Sequence, residues 1–124
     1  MIQPGTKLYV QDNSGARVVE CIRVLKKLGR NPASFGDLAV VSVKVLRKKG
    51  RIKVKKKEVC IALVLKSSKS NFRKNGMSLK FSSNSCILLN KEFKNHGTRI
   101  FGTVRKELRD MNYVKLLSIS SNYI

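Results

Sequence analysis

Acidic residues are scarce in this chain. Seven Asp and Glu stand against 27 Lys and Arg, which leaves a net charge of +20 over 124 residues. So few carboxylates give little material for a paired general acid and base, and Glu20, Asp37, Glu58, Glu92, Glu107 and Asp110 are scattered along the chain. Histidine is scarcer still. The single His96 sits in "NHGT", and no G-x-S-x-G elbow or other nucleophile motif accompanies it. Cys21, Cys60 and Cys86 lie far apart with no C-x-x-C pair, which argues against a zinc site. Each sits in an apolar run and reads as a buried small hydrophobe in a reducing compartment. "GRNPASFG" lacks the Lys-Ser/Thr of a phosphate-cradling loop. Neither cofactor nor metal is expected, and the chain does not read as an enzyme.

Long apolar runs are missing too. The longest uncharged one, Val59 to Leu65, is far too short to cross a bilayer. "MIQPGTKLYV" shows neither a basic n-region with an apolar h-region nor an Arg-rich presequence, so the chain reads as soluble and as starting on its folded domain. Tryptophan is absent, and the five Phe and three Tyr form no array along one strand. Phe72, Phe81, Phe93 and Phe101 read by default as core packing. That disfavours a single-strand binder that stacks bases on aromatic platforms.

What is abundant is positive charge. A hydrophobic fraction of 42% suits a folded domain, but this surplus repels itself unless a polyanion neutralises it. Nucleic acid fits through counterion release. An anionic membrane competes, yet basic and apolar residues alternate as in strands rather than occupying opposite faces of one long helix.

The pattern is mostly β. "KLYV" (7–10) alternates into the turn formers Asp12, Asn13, Ser14 and Gly15. Asp12 reads as a turn residue, its carboxylate bonding nearby backbone N–H groups. "RVVECIRVL" (17–25) is rich in β-branched residues. "LAVVSVKVL" (38–46) sets Val41, Val43 and Val45 on one face and Ser42 and Lys44 on the other. "EVCIALVLK" (58–66) is a continuous apolar run, as for a strand covered on both faces, and "CILLN" (86–90) is a further short strand. Asn75-Gly76 predicts a hairpin between "SNFRK" and "MSLKF". In "TVRKELRDM", Val104, Leu108 and Met111 fall at i, i+4 and i+7 after Thr103, which predicts a short capped amphipathic helix. The fold class that follows is mainly β: a small, closed or nearly closed barrel with one late helix.

Between two apolar strands lies "RKKGRIKVKKK" (47–57), eight of whose eleven residues are Lys or Arg. It reads as a projecting β-ribbon or strand edge, with Ile52 and Val54 facing the body and Arg51, Lys53 and Lys55 facing away. One or two Lys suffice to protect an edge from aggregation; eight point to phosphate contact. The candidate RNA-binding residues are Arg17, Arg23, Lys26, Lys27, Arg30, Lys44, Arg47, Lys48, Lys49, Arg51, Lys53, Lys55, Lys56, Lys66, Lys69, Arg73, Lys74 and Arg99. Charge spread this widely suits a protein embedded in folded RNA, recognised by shape and phosphate. The competing readings are a free OB-type nucleic-acid-binding module and a membrane-active cationic protein. Dispersed aromatics argue against the first, and the lack of a long amphipathic helix or disulfide framework against the second.

Several segments resemble the family of universal large-subunit ribosomal protein fourteen, in its bacterial and organellar form. "MIQPGTKLYVQDNSGAR" resembles the family's first strand and turn, and "CIRVL" and "FGD" follow in order. Ala62-Leu63-Val64-Leu65, then Asn75-Gly76, Phe81, Asn84 and Ile87-Leu88 keep the family's order and spacing, and "GTRIFG", "KEL" and "KLLSI" complete the match across essentially the whole chain. Departures are Ile87 where Val is usual, Ser82 for an acid, Thr103 for Pro, and a tail "SSNYI" without the Ala-Pro-Glu ending. The resemblance implies a five-stranded β-barrel with a projecting basic β-ribbon and short C-terminal helices. It implies one domain over 1–124, with the barrel at about 1–96 and the C-terminal loop and helices at about 97–124.

Members of that family bind large-subunit rRNA at the subunit interface, touch ribosomal proteins three and nineteen, and reach small-subunit rRNA in intersubunit bridges. They are monomeric within the ribosome and do not insert into membranes. A ribosome-silencing factor docks on bacterial and organellar members; the corresponding residues here are Thr98, Arg99 and Lys115. Richness in Lys, Asn and Ser fits translation from an AT-rich genome in a mitochondrion, with a plastid or an AT-rich bacterium as alternatives.

Overall fold

The computed structural model describes residues 2–25 and 32–124. Four strands, β1 (Lys7–Val10), β2 (Ala16–Val24), β3 (Leu38–Leu46) and β4 (Val59–Lys66), run as an antiparallel meander. A small ribbon of β5 (Asn71–Phe72) and β6 (Ser78–Leu79) follows, and then β7 (Ser85–Leu89). β7 pairs antiparallel with β4 and parallel with β1, which closes a five-stranded barrel. Beyond it, β8 (Ile100–Val104) pairs in parallel with β9 (Ser120–Tyr123). Between those two lie a 3-10 turn at Lys106–Leu108 and the helix α1, Val114–Ile119. Among the described residues, no helix is long and apolar enough to cross a membrane.

Alternation explains the barrel. In β3, Ala39, Val41 and Val43 are fully buried while Lys44 is exposed. A barrel of only five strands has a narrow lumen, filled by side chains of modest size. Val19, Val41, Val43, Val64, Ala39, Ala62, Cys21, Cys60 and Cys86 fill it here, with Ile2, Leu8 and Leu88 as the larger occupants. The cysteines serve as small hydrophobes, free and buried, as the sequence suggests.

β4 and β7 are apolar without interruption because they serve two cores. Ala62, Val64, Cys86 and Leu88 point into the barrel. Leu63, Leu65, Ile87 and Leu89 point outward, where Ile100, Val104, Leu108 and Leu116 cover them. Fully burying each such Leu or Ile stabilises the fold by about 1.5–3 kcal/mol. The C-terminal segment is thus a lid over one side of the barrel.

Three local expectations are corrected. The helix over 103–111 does not form. Val104 ends β8, Arg105 is extended (φ −88°, ψ 141°), Lys106–Leu108 is a single 3-10 turn, and Asn112 has φ 66°. Thr103 pairs with Asn122 as a strand residue instead of capping. A helix of nine residues is marginal by itself, and pairing with β9 together with burial of Val104 and Leu108 outweighs it. Residues 47–58 form no ladder with one another, because like charges placed opposite each other destabilise a ribbon. Val54 is buried as expected, but Ile52 is not; among the described residues the antiparallel ribbon outside the barrel is β5–β6. Val45 lies outside, since register shifts between β2 and β3 near Val18 break the alternation at that end.

Candidate nucleic-acid interface

The turn that follows β1 organises the basic loops. Asp12 is buried, and a buried carboxylate must be satisfied by donors. It accepts hydrogen bonds from Ser14 N (3.1 Å), Ser14 Oγ (2.5 Å) and Leu88 N (3.0 Å), which fixes the turn to β7. The carbonyls of Ser14 and Gly15 accept from Lys53 N (2.7 Å) and Arg47 N (2.8 Å), so the start and the middle of the basic loop hang on this turn, while Lys57 N bonds the Val43 carbonyl (2.8 Å). Gly15 has φ 103°, and a Cβ there would lie 2.7 Å from Ile52 Cα. Only glycine allows that approach. On the other side, Asn13 Oδ1 accepts from Thr98 N (2.7 Å) and Arg99 N (3.2 Å), and its Nδ2 donates to Thr98 Oγ1 (2.8 Å).

Cations from two segments distant in sequence are anchored around this turn. The Arg47 guanidinium lies 5.2 Å from the centroid of the Phe101 ring. Lys53 Nζ donates to the His96 carbonyl at 3.2 Å, and Arg99 is held by Asn13 through its backbone. Around them Lys48, Lys49, Arg51, Lys55 and Lys56 are exposed on the loop. Arg17 and Arg23 are exposed on β2, and Lys44 is exposed on β3, 3.8 Å from Glu20. Lys69 and Lys74 are exposed near the β5–β6 ribbon. Lys26, Lys27 and Arg30 lie outside the described residues. Thr98 and Arg99 are exposed and anchored, while exposed Lys115 stands on a separate element, α1.

Two basic residues serve the fold. Arg73 Nη2 donates to the main-chain oxygen of Ile124 (2.6 Å), and Arg73 Nε lies 2.9 Å from Glu107 Oε1 in a charge contact off hydrogen-bonding alignment. Arg105, buried, lies 4.3 Å from the Phe35 centroid and donates from Nε to Glu107 Oε2 at 3.3 Å. Burial alone would push the Glu107 carboxyl up. Its own backbone N–H, the Arg105 hydrogen bond and the charges of Arg105 and Arg73 outweigh that and hold it below the usual carboxylate range. Burial also lowers Lys66 from its ordinary value; its ammonium lies 5.3 Å from the Phe81 centroid.

The remaining acids are engaged within the chain. Asp37 accepts from Ser34 N (2.7 Å), Glu58 from Lys55 N (2.8 Å), and Glu92 and Asp110 lie beside Lys94 (3.7 Å) and Lys74 (3.8 Å). Where carboxylates are few, rings take their place as cation partners: Arg47, Lys66, Arg105 and Lys106 lie over Phe101, Phe81, Phe35 and Tyr123. Four such pairs among the described residues exceed the usual frequency of about one per 70–80 residues, so these rings are occupied by cations.

Sequence reasoning missed several features. Lys57, Lys80 and Lys91 are exposed cations too, and for Lys57 the basic run itself was the signal. The Asn13 clamp spans 85 residues, beyond any local pattern. The core-packing default is wrong for Phe72, Phe93 and Phe101, which are 83%, 51% and 43% exposed.

The fold and its surface define a class: a small cationic β-barrel whose few acids are engaged internally. Over residues 1–124 the chain matches the family model described as ribosomal protein L14p/L23e, and it belongs to that family. It is a structural protein of the large ribosomal subunit, located in a ribosome, with ribosomal RNA and ribosomal proteins as its partners.

Proposed function

We propose that this chain binds large-subunit rRNA through the two basic loops gathered on the 12–15 turn and the exposed cations of β2 and β3. The observation that carries this is charge left without a counterpart: seven acids, engaged within the fold, cannot neutralise 27 cations, so the surface fits a surrounding cage of phosphates. The eighteen candidate residues remain the proposed contacts, with Arg73 now serving chiefly to anchor the β5–β6 ribbon. The chain acts as one unit over 1–124. It sits at the subunit interface beside ribosomal proteins three and nineteen and reaches small-subunit rRNA in bridges. The anchored Thr98 and Arg99, with Lys115, form a docking surface for a ribosome-silencing factor. Its sequence resemblance to bacterial and organellar members, together with its richness in Lys, Asn and Ser, supports placing it in a mitochondrial ribosome.

Titration of the full chain against a large-subunit rRNA fragment at rising salt tests the reading. With six or more phosphates contacted, the slope of log affinity against log salt is about −5 or steeper. A salt-insensitive affinity overturns it.

A further inference from the structure

Phe72 is the most exposed large hydrophobic residue among those described, at 83%. Its setting explains the exposure. Arg73 N donates to Met77 O (2.7 Å), extending the two-residue ladder of β5 and β6 toward the Asn75-Gly76 turn. Arg73 then ties one face of this ribbon to the C-terminal segment through Glu107 and Ile124. Successive side chains alternate faces along an extended segment, so Phe72 is left on the side away from that anchor, opposite Ser78. Phe35, Phe81, Phe101 and Tyr123 each lie beneath a cation; among the described residues, none lies over Phe72 in the same way. Met77, 63% exposed, follows the turn. Lys69, Lys74 and Lys80 are exposed along the same ribbon.

We infer that Phe72 is a stacking platform for an unpaired RNA base, with the neighbouring lysines holding the flanking phosphates. This rests on the rRNA-binding reading and deepens it. An apolar protein surface would have to desolvate against these lysines, whereas a nucleotide offers a flat π-face for the ring and negative charge for the ammonium groups. The general surface recognises phosphate and shape; this one ring recognises an unstacked base.

The test uses the full chain, a 12-nucleotide oligo(A) and an abasic ribose-phosphate strand of equal length. The wild type binds oligo(A) more tightly than the abasic strand by roughly 5- to 150-fold, the equivalent of one stacked base. Phe72→Leu loses that preference, keeps its affinity for the abasic strand, and keeps the salt slope because no phosphate contact is removed. Phe72→Tyr retains the preference. Phe72→Trp supplies the sole tryptophan of a chain that has none, and its fluorescence is quenched by oligo(A) but not by the abasic strand. Equal affinity of the wild type for both strands, with a full salt slope, overturns the Phe72 assignment alone. Retention of the preference in Phe72→Leu also overturns it, since that outcome marks an apolar contact, as with a protein surface. A chain that binds neither strand overturns both readings.

Discussion

Replacing Gly15 with alanine should loosen the basic loop, and its effect can be separated from backbone strain. Two consequences follow from the geometry. The residue is held at φ 103°, where an L side chain is strained by about 1–3 kcal/mol. The new Cβ would also lie 2.7 Å from Ile52 Cα, and relieving a collision with backbone costs about 1–3 kcal/mol more. Gly50 is the control. It has φ 97° in the same loop, but a Cβ added there would meet nothing within 4 Å, so Gly50→Ala carries strain without collision. Thermal unfolding of the full chain, followed by circular dichroism at fixed salt, should place Gly15→Ala below Gly50→Ala by about 3–15 °C. Because Ile52 lies between Arg47 and Lys53, whose N–H groups bond this turn, Gly15→Ala should also weaken rRNA-fragment binding more than Gly50→Ala. Equal melting temperatures for the two variants would refute the packing of the loop on the turn.

Other outcomes follow from the same structure. Glu107→Gln should destabilise the fold by about 1–3 kcal/mol at pH 7, by removing a charged acceptor from Arg105 and Arg73. Since the folded chain holds this carboxyl below its ordinary value, its contribution is complete above about pH 4.3 and is lost as pH falls through the folded value. Denaturant titrations should therefore show the variant and the wild type converging as pH falls through that lowered value, and a gap independent of pH would contradict the ion contacts. Burial pushes the Cys60 thiol up to about 11, with the charges of Glu58 and Asp12 adding to it. Burial likewise raises Cys21, and it raises Cys86 together with Asp12 and Cys21. A thiol reagent at about pH 8, near the ordinary thiol value, should modify none of the three in the folded chain and all three in guanidinium; rapid modification of the folded chain would show the barrel lumen to be open.

Much of the barrel is legible along the chain because alternation is a property of a few consecutive residues. β1, β2, β3, β4 and β7 fall where the period of two and the continuous apolar runs place them, and Asn75-Gly76 turns the ribbon it predicts. The double coverage of β4 could be read from its lack of polar interruptions, since a strand with one wet face would alternate. Legibility fails where a short segment has two locally plausible states. The 103–111 pattern suits a helix in isolation, yet β9 supplies a parallel partner for Ile100, Thr103 and Val104. The basic run likewise suits a ribbon by its alternation, and mutual repulsion with the anchors at Ser14 and Gly15 makes it a loop.

By itself, then, the order of residues determined a small cationic barrel, its strand positions and its surplus of charge, because each depends on composition or on near neighbours. Tertiary structure alone decided which cations are available. Arg105 and Arg73 look in sequence like Arg17 and Arg99, but Phe35, Glu107 and Ile124 engage the first two. The same distinction separates Phe72 from Phe35 and Phe81. Whether a ring or a guanidinium faces solvent depends on what the folded chain places against it, and those partners come from tens of residues away.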